Sequence, residues 1–295
     1  FGCLMLVGIF FARKLYRMNL LTLGDFFRKR FGPNVELITS LVIMASYLGW
    51  IAAQLTALGV VFNVLSDGSI SVTQGMLMGT AIVLVYTLFG GMWSVALTDT
   101  FQMAIIVVGL GYLTWLIGDM AGGPQKVISQ AASEGKFTFI NSFDARDIVA
   151  FIGAAVTMML GSIPQQDVYA RVMSAKTEKI ASHATIAGAI FYLGFCMLPI
   201  FLTYAASIID PAMVKHFLEE DAQMILPHLI MERTPVFAQV LFFGALLSAI
   251  MSTASGTLLA PSVTFTENVL KRFRPNMSDV EFLKAMRWTI VACAV

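Results

Sequence analysis

Apolar runs about twenty residues long recur along the chain and constrain its fold more than any other feature. Hydrocarbon about 30 Å thick offers the backbone no hydrogen-bond partners, so a crossing segment must close its own bonds as a helix of roughly twenty residues. The pattern predicts a terminal stub at 2–12 and spans near 37–64, 72–90, 95–118, 148–164, 181–208 and 236–262, with a second stub from 286. The expected fold class is all-α, a polytopic helical membrane protein with 1–295 as a single transmembrane domain. The chain opens on Phe1 and begins and ends inside apolar stretches, which reads as truncation at both ends.

Composition agrees with a lipid solvent. Of 295 residues, 58% are hydrophobic and 13% charged, where soluble domains carry about one quarter charged residues. With 19 basic against 18 acidic residues the net charge is +1. That leaves no basic surplus to neutralise a phosphate backbone, so no nucleic-acid partner is expected. Cys3, Cys196 and Cys293 stand alone in apolar runs, and His183, His216 and His228 have no metal-ligand spacing. No HExxH, GxSxG, Walker A or GxGxxG string occurs, which argues against an enzyme.

Orientation follows from the basic residues, because cytoplasmic loops carry the excess near helix ends. Loops 13–36, 171–180 and 271–287 hold fourteen of the 19 lysines and arginines. Six alternating spans place all three loops on one side, read as cytoplasmic. The expected location is the cell inner or plasma membrane, multi-pass, with the acidic stretch 210–233 outside.

Two features suggest chemistry within the bilayer. The span ending Gly161-Ser162-Ile163-Pro164 breaks before Gln165, Gln166 and Asp167. Non-helical backbone at membrane depth is tolerated where it lines a cavity, although the helix could equally end at the interface. Asp99, in Thr98-Asp99-Thr100 near the start of an apolar helix, reads either as an ion ligand or as a helix cap. Asp167 could draw a cationic amine or pair with Arg171 one turn on.

Farther along, Ala249, Ser252, Thr253 and Gly256 recur at i, i+3, i+4 and i+7, with Ser255 close by, so the first four share a helix face. Hydroxyls and a main-chain carbonyl there make a hard oxygen set for a small cation, or the small residues simply let helices pack closely. Trp50 and Gln54, one turn apart, could offer an aromatic face and an amide to a solute.

Several strings together resemble the sodium:solute symporter family. They are Leu21-Thr22-Leu23-Gly24-Asp25-Phe26-Phe27, Tyr86-Thr87-Leu88-Phe89-Gly90-Gly91-Met92-Trp93 with Thr98-Asp99, Ile163-Pro164-Gln165-Gln166, Arg171-Val172-Met173-Ser174-Ala175-Lys176, and Leu247-Ser248-Ala249-Ile250-Met251-Ser252-Thr253. The resemblance covers essentially the whole chain. It implies a fragment of an inverted-repeat (5+5), LeuT-like transporter fold, with the first core helix and the last helices absent. It implies Na+ as the coupled ion, held by a carbonyl at Ala249 and the hydroxyls of Ser252 and Thr253. Asp99 would serve ion exit, or a second ion together with Ser252 and Ser255, where Gly256 stands in place of a further hydroxyl. Trp50-Ile51-Ala52-Ala53 and Asp221-Ala222-Gln223-Met224 are similar to the high-affinity choline transporter branch, but Gln165 stands where that branch carries an aromatic residue. Quaternary ammonium recognition depends on aromatic faces.

The function this implies is sodium-coupled import of a small polar organic solute (amine, amino acid, sugar or carboxylate) by alternating access. Substrate contacts are expected from Trp50, Gln54, Gln165, Gln166 and Asp167. Alternative readings are a transporter-like sensor module and a passive channel.

Overall fold

The computed structural model describes residues 1–138 and 144–294, and of residues 90–92 the backbone alone. The Met92 side chain and the surroundings of Gly90 and Gly91, and the last residue of the expected second stub, Val295, lie outside the described residues. Among the described residues every regular element is a helix, as the apolar runs predict. Five helices are long and apolar enough to cross a membrane, or six when one bent pair counts as a single span. The fold is all-α, and the protein is a multi-pass membrane protein.

Contacts divide the chain into two compact units, each assembled from separate stretches. The first comprises 1–99, 156–190 and 250–295; the second comprises 100–155 and 191–249.

The chain begins with α1 (Gly2–Leu6), which continues through a π-helical turn (Val7–Phe11) into α2 (Ala12–Met18). Within the first unit, Ser182 donates to the Gly8 carbonyl at 2.7 Å. A Cβ on Gly8 would stand 2.6 Å from Ile186, so the missing side chain is what lets these helices approach. Asn19, in the left-handed region at φ 47°, ends α2.

The short α3 (Leu23–Phe31) opens on a capping box: Thr22 accepts from the Asp25 N–H, and Asp25 accepts from the Thr22 N–H. Arg28, Lys29 and Arg30 fill its last turn, where the carbonyl end of the helix dipole favours cations. Gly32 at φ 91° turns the chain, and Pro33 begins α4 (Pro33–Leu65) at a position where a missing N–H costs nothing.

In α5 the helix runs without interruption from Val72 to Met120 and contains two crossing-length segments, Val72–Phe89 and Trp93–Met120. The expected spans at 72–90 and 95–118 correspond to these two segments, joined by one continuous helix. Two glycines lower helix propensity by about 1 kcal/mol each, but no proline removes a backbone donor here, and the helical bonding continues. Asp99 consequently lies inside a helix, which excludes the capping role.

Around the break, α7 (Ala145–Gly161) and α8 (Gln166–Met173) meet at a bend of 48°, the broken span expected from Gly161 and Pro164. The expected span at 181–208 is itself interrupted: α9 (Glu178–Phe195) ends one residue before α10 (Met197–Ile209). Pro199 explains the position, since it cannot donate to the carbonyl of Phe195 four residues earlier.

The second unit adds α6 (Pro124–Ser133), α11 (Pro211–Glu220) and α12 (Ile225–Arg233). Asp210 caps α11 by accepting from the Met213 N–H and also holds Arg233 at 2.9 Å. That N–H, followed by Arg233, keeps the Asp210 carboxyl below the usual carboxylate range.

The long α13 (Val236–Thr264) accommodates Pro261 internally and passes into a π-helical segment (Phe265–Leu270) before α14 (Lys271–Phe273). Ser262, Thr264 and Thr266 donate to carbonyls one turn back, so these fully buried hydroxyls are satisfied within the helix. Finally, α15 (Asp279–Ala294) follows a Ser278–Glu281 capping pair.

Candidate functional site

Local folding brings four elements of the first unit to one place. α8 carries Asp167 and Arg171 one turn apart, α5 presents Asp99, α13 presents Ser252, and α4 presents Tyr47. Ser252 donates to Asp99 at 2.6 Å. Arg171 lies between two carboxylates, 3.4 Å from Asp99 and 3.3 Å from Asp167. Tyr47 donates to the second Asp167 oxygen at 2.6 Å and accepts the Asp167 N–H at 3.1 Å. Its ring stacks on Trp50, with centroids 5.8 Å apart. A polar chain thus runs from the aromatic pair on α4 to the hydroxyl on α13.

The charge balance is uneven. Two carboxylates share one guanidinium, leaving one negative charge beside a mostly apolar cavity of about 400 Å³ whose walls include Gln166, Asp167, Arg171, Gly256, Leu259 and Met286. Asp99 and Asp167 are 24% and 15% exposed, against 47% for Arg171, so the anions sit deeper than their partner. Gly256 makes room for it: a Cβ there would stand 3.3 Å from the guanidinium.

The oxygen set around Ser252 suits a small hard cation. Its hydroxyl hydrogen goes to Asp99, which leaves the lone pairs of the same oxygen free to accept. Ser255, fully buried, donates to the Ser252 carbonyl at 3.0 Å, and Tyr86 donates to the Met251 carbonyl at 2.7 Å. These bonds fix the backbone of the turn. Among the described residues no group of three His, Cys, Asp or Glu side chains converges. The available chemistry is that of hydroxyl and carbonyl oxygens with one carboxylate, a set that fits sodium.

Not every expected site residue is brought together. Ser252, Thr253 and Ser255 lie in the first unit with Asp99, and Ala249 stands one turn before Ser252 on the same helix, α13. Gln166 is buried, and its side-chain oxygen accepts from the Leu23 N–H at 2.9 Å, so it ties α8 to the start of α3. Gln165, half-buried and extended, precedes α8. Gln54 is half-buried one turn beyond Trp50. Asp167 takes the pairing with Arg171, and Arg171 also reaches Asp99.

A second polar cluster was not foreseen from the sequence. Thr22 donates to Asn268 at 2.6 Å, and the Asn268 amide donates to Asp25 at 2.8 Å and Glu36 at 3.0 Å. Arg28 stands 3.7 Å from the other Glu36 oxygen. Thr22, Glu36 and Asn268 are all buried. Asn268 ends an apolar run and Glu36 begins one, so each reads singly as an interfacial residue.

Comparisons with known proteins place the chain in a family and a fold. The model of the sodium:solute symporter family matches residues 2–295. The chain is 28% identical to the human high affinity choline transporter 1 over 297 residues, which is 97% of this chain and 50% of the relative. It is 27% identical to the sodium/proline symporter of Haemophilus influenzae over 294 residues, 94% of this chain and 56% of that one. The chain therefore spans about half the length of the curated relatives it matches. A solved structure of a Na+-coupled sialic acid symporter, substrate-bound and outward-open, superposes with a TM-score of 0.82 at 21% identity. It covers 98% of this chain and 62% of that one, and the likeness is one of fold.

Proposed function

The chain belongs to the sodium:solute symporter family, and on that premise we propose that it forms part of a sodium-coupled symporter importing a small polar organic solute by alternating access. The observation that carries the reading is the Ser252 hydroxyl held on Asp99 in a unit that also contains Thr253 and Ser255. In this reading Ser252 and Thr253 supply hydroxyls and Ala249 a carbonyl to the ion, and Asp99 receives it on the way to the cytoplasm. Trp50, Gln54, Gln165, Gln166 and Asp167 face the solute or hold the residues that do. Loops 13–36, 171–180 and 271–287 are cytoplasmic.

The energetics are sufficient with one ion. A single charge descending the membrane potential gains about 2.3 kcal/mol per 100 mV, which supports roughly 50-fold accumulation before any sodium gradient is added. The relatives named above are choline and proline transporters, which favours a compact amine or amino acid as solute. Gln165 replaces an aromatic surface with an amide, a change suited to a polar group rather than to a bare quaternary ammonium.

Uptake of choline and of proline by the full-length protein in proteoliposomes, with and without a sodium gradient, tests the reading. Ser252→Ala with Thr253→Ala is expected to abolish sodium-stimulated uptake of whichever probe is taken up. Unchanged sodium stimulation in the double variant would refute the ion assignment.

A further inference from the structure

The position of Arg171 raises a question of charge. An ion leaving the Ser252 region past Asp99 would strip that carboxylate of its counter-charge in a mostly apolar setting, where an unpaired charge is costly. Arg171 stands 3.4 Å from Asp99, tethered 3.3 Å from Asp167 and seated over Gly256. Both carboxylate contacts are longer than the 2.6 Å bond between Ser252 and Asp99. A guanidinium shared between two acids is able to move toward either one.

We propose that Arg171 is a built-in cation that competes with sodium for Asp99 and takes the ion's place as it leaves, so that release never exposes a bare carboxylate. Arg171 is a positioning residue in this scheme: it acts on the ion through Asp99. Asp167 and Tyr47 set how strongly it competes. The tether to Asp167 draws the guanidinium away from Asp99, and the Tyr47 hydroxyl orients that tether. Gly256 provides the space, because a side chain there would crowd the guanidinium. The inference rests on the reading that sodium binds beside Ser252.

The test uses sodium alone as the probe. Purified full-length protein is titrated with NaCl against a KCl background, and thermal stabilisation gives the apparent sodium dissociation constant. Arg171→Gln removes the competitor and is expected to tighten sodium about fivefold, the size of one half-exposed charge contact. Arg171→Lys, which keeps the charge, is expected to return the constant toward the wild-type value. Asp167→Asn frees the guanidinium for Asp99 and is expected to weaken sodium. A purely structural arginine would give weaker or unchanged sodium binding in Arg171→Gln, and that result overturns the proposal. If Arg171→Gln does not fold, Asp167→Asn decides: unchanged or tighter sodium binding overturns the proposal. Absence of any sodium stabilisation in the wild-type protein instead overturns the symporter reading on which this one rests.

Discussion

The first unit contains two polar clusters, each with two carboxylates and one arginine, that differ in burial and bond length. Around Asn268, a neutral amide joins Thr22, Asp25 and Glu36 through bonds of 2.6 to 3.0 Å, with Thr22, Glu36 and Asn268 buried. Around Arg171, the two ion pairs measure 3.3 and 3.4 Å, the guanidinium is 47% exposed, and a cavity of about 400 Å³ lies alongside. The first is joined by short bonds to a buried amide, although a cavity of about 340 Å³ lined by Glu36 and Asn268 opens beside it and the neighbouring Ser40 hydroxyl has no partner. The second differs in that one guanidinium is shared by both of its acids and in the mostly apolar wall of its cavity, which magnifies electrostatic differences. A buried network held by short bonds rigidifies, whereas a half-exposed ion pair rearranges at little cost. The Asn268 cluster holds α3 against α4 and the π-helical segment, and the Arg171 cluster is the one proposed above to handle the ion.

Mutations can break that contrast. The largest stability loss is expected from Asn268→Leu, which leaves Asp25, Glu36 and Thr22 with unpaired oxygens in a buried site; roughly 3 kcal/mol should be lost, read by denaturant titration of the full-length protein in detergent. Gly24→Ala comes next. Its Cβ would lie 2.5 Å from Asn268 and 2.7 Å from Ser40, an overpacking expected to cost about 2 kcal/mol in the same titration. Thr22→Ala removes the cap of α3 and one bond to Asn268, and is expected to cost about 1 kcal/mol. Arg171→Gln closes the series: its stability change should stay within about 1 kcal/mol, although its sodium affinity changes. Equal destabilisation by Arg171→Gln and Asn268→Leu would erase the distinction between the clusters.

How much of this was legible in the sequence depends on whether the signal was local. The crossing helices follow from apolar run length, and the break before Gln165 follows from Gly161 and Pro164, both properties of adjacent residues. The two spans either side of Gly90 were legible, but not that one helix joins them, because glycine lowers helix propensity without forbidding the helix. The break at Cys196 was written in Pro199, whose effect falls on the carbonyl four residues earlier. The site was partly legible: spacing picks out Ser252 and Asp99 separately, 153 positions apart with nothing local to couple them, and only the family resemblance puts them together. Arg171 was legible only through its i, i+4 partner. The Asn268 cluster was invisible, since its members come from α3, α4 and the π-helical segment and each looks like an ordinary interfacial polar residue.

The central claim is that the oxygens of α13 beside Asp99 hold sodium. Its most direct test is the thermal stabilisation of the full-length protein by NaCl relative to KCl, measured without solute, for the wild type and for Ser252→Ala with Thr253→Ala. The account predicts a sodium-specific stabilisation of the wild type that the double variant loses, at unchanged stability in KCl. Equal sodium stabilisation of both proteins would place the ion elsewhere and contradict the account.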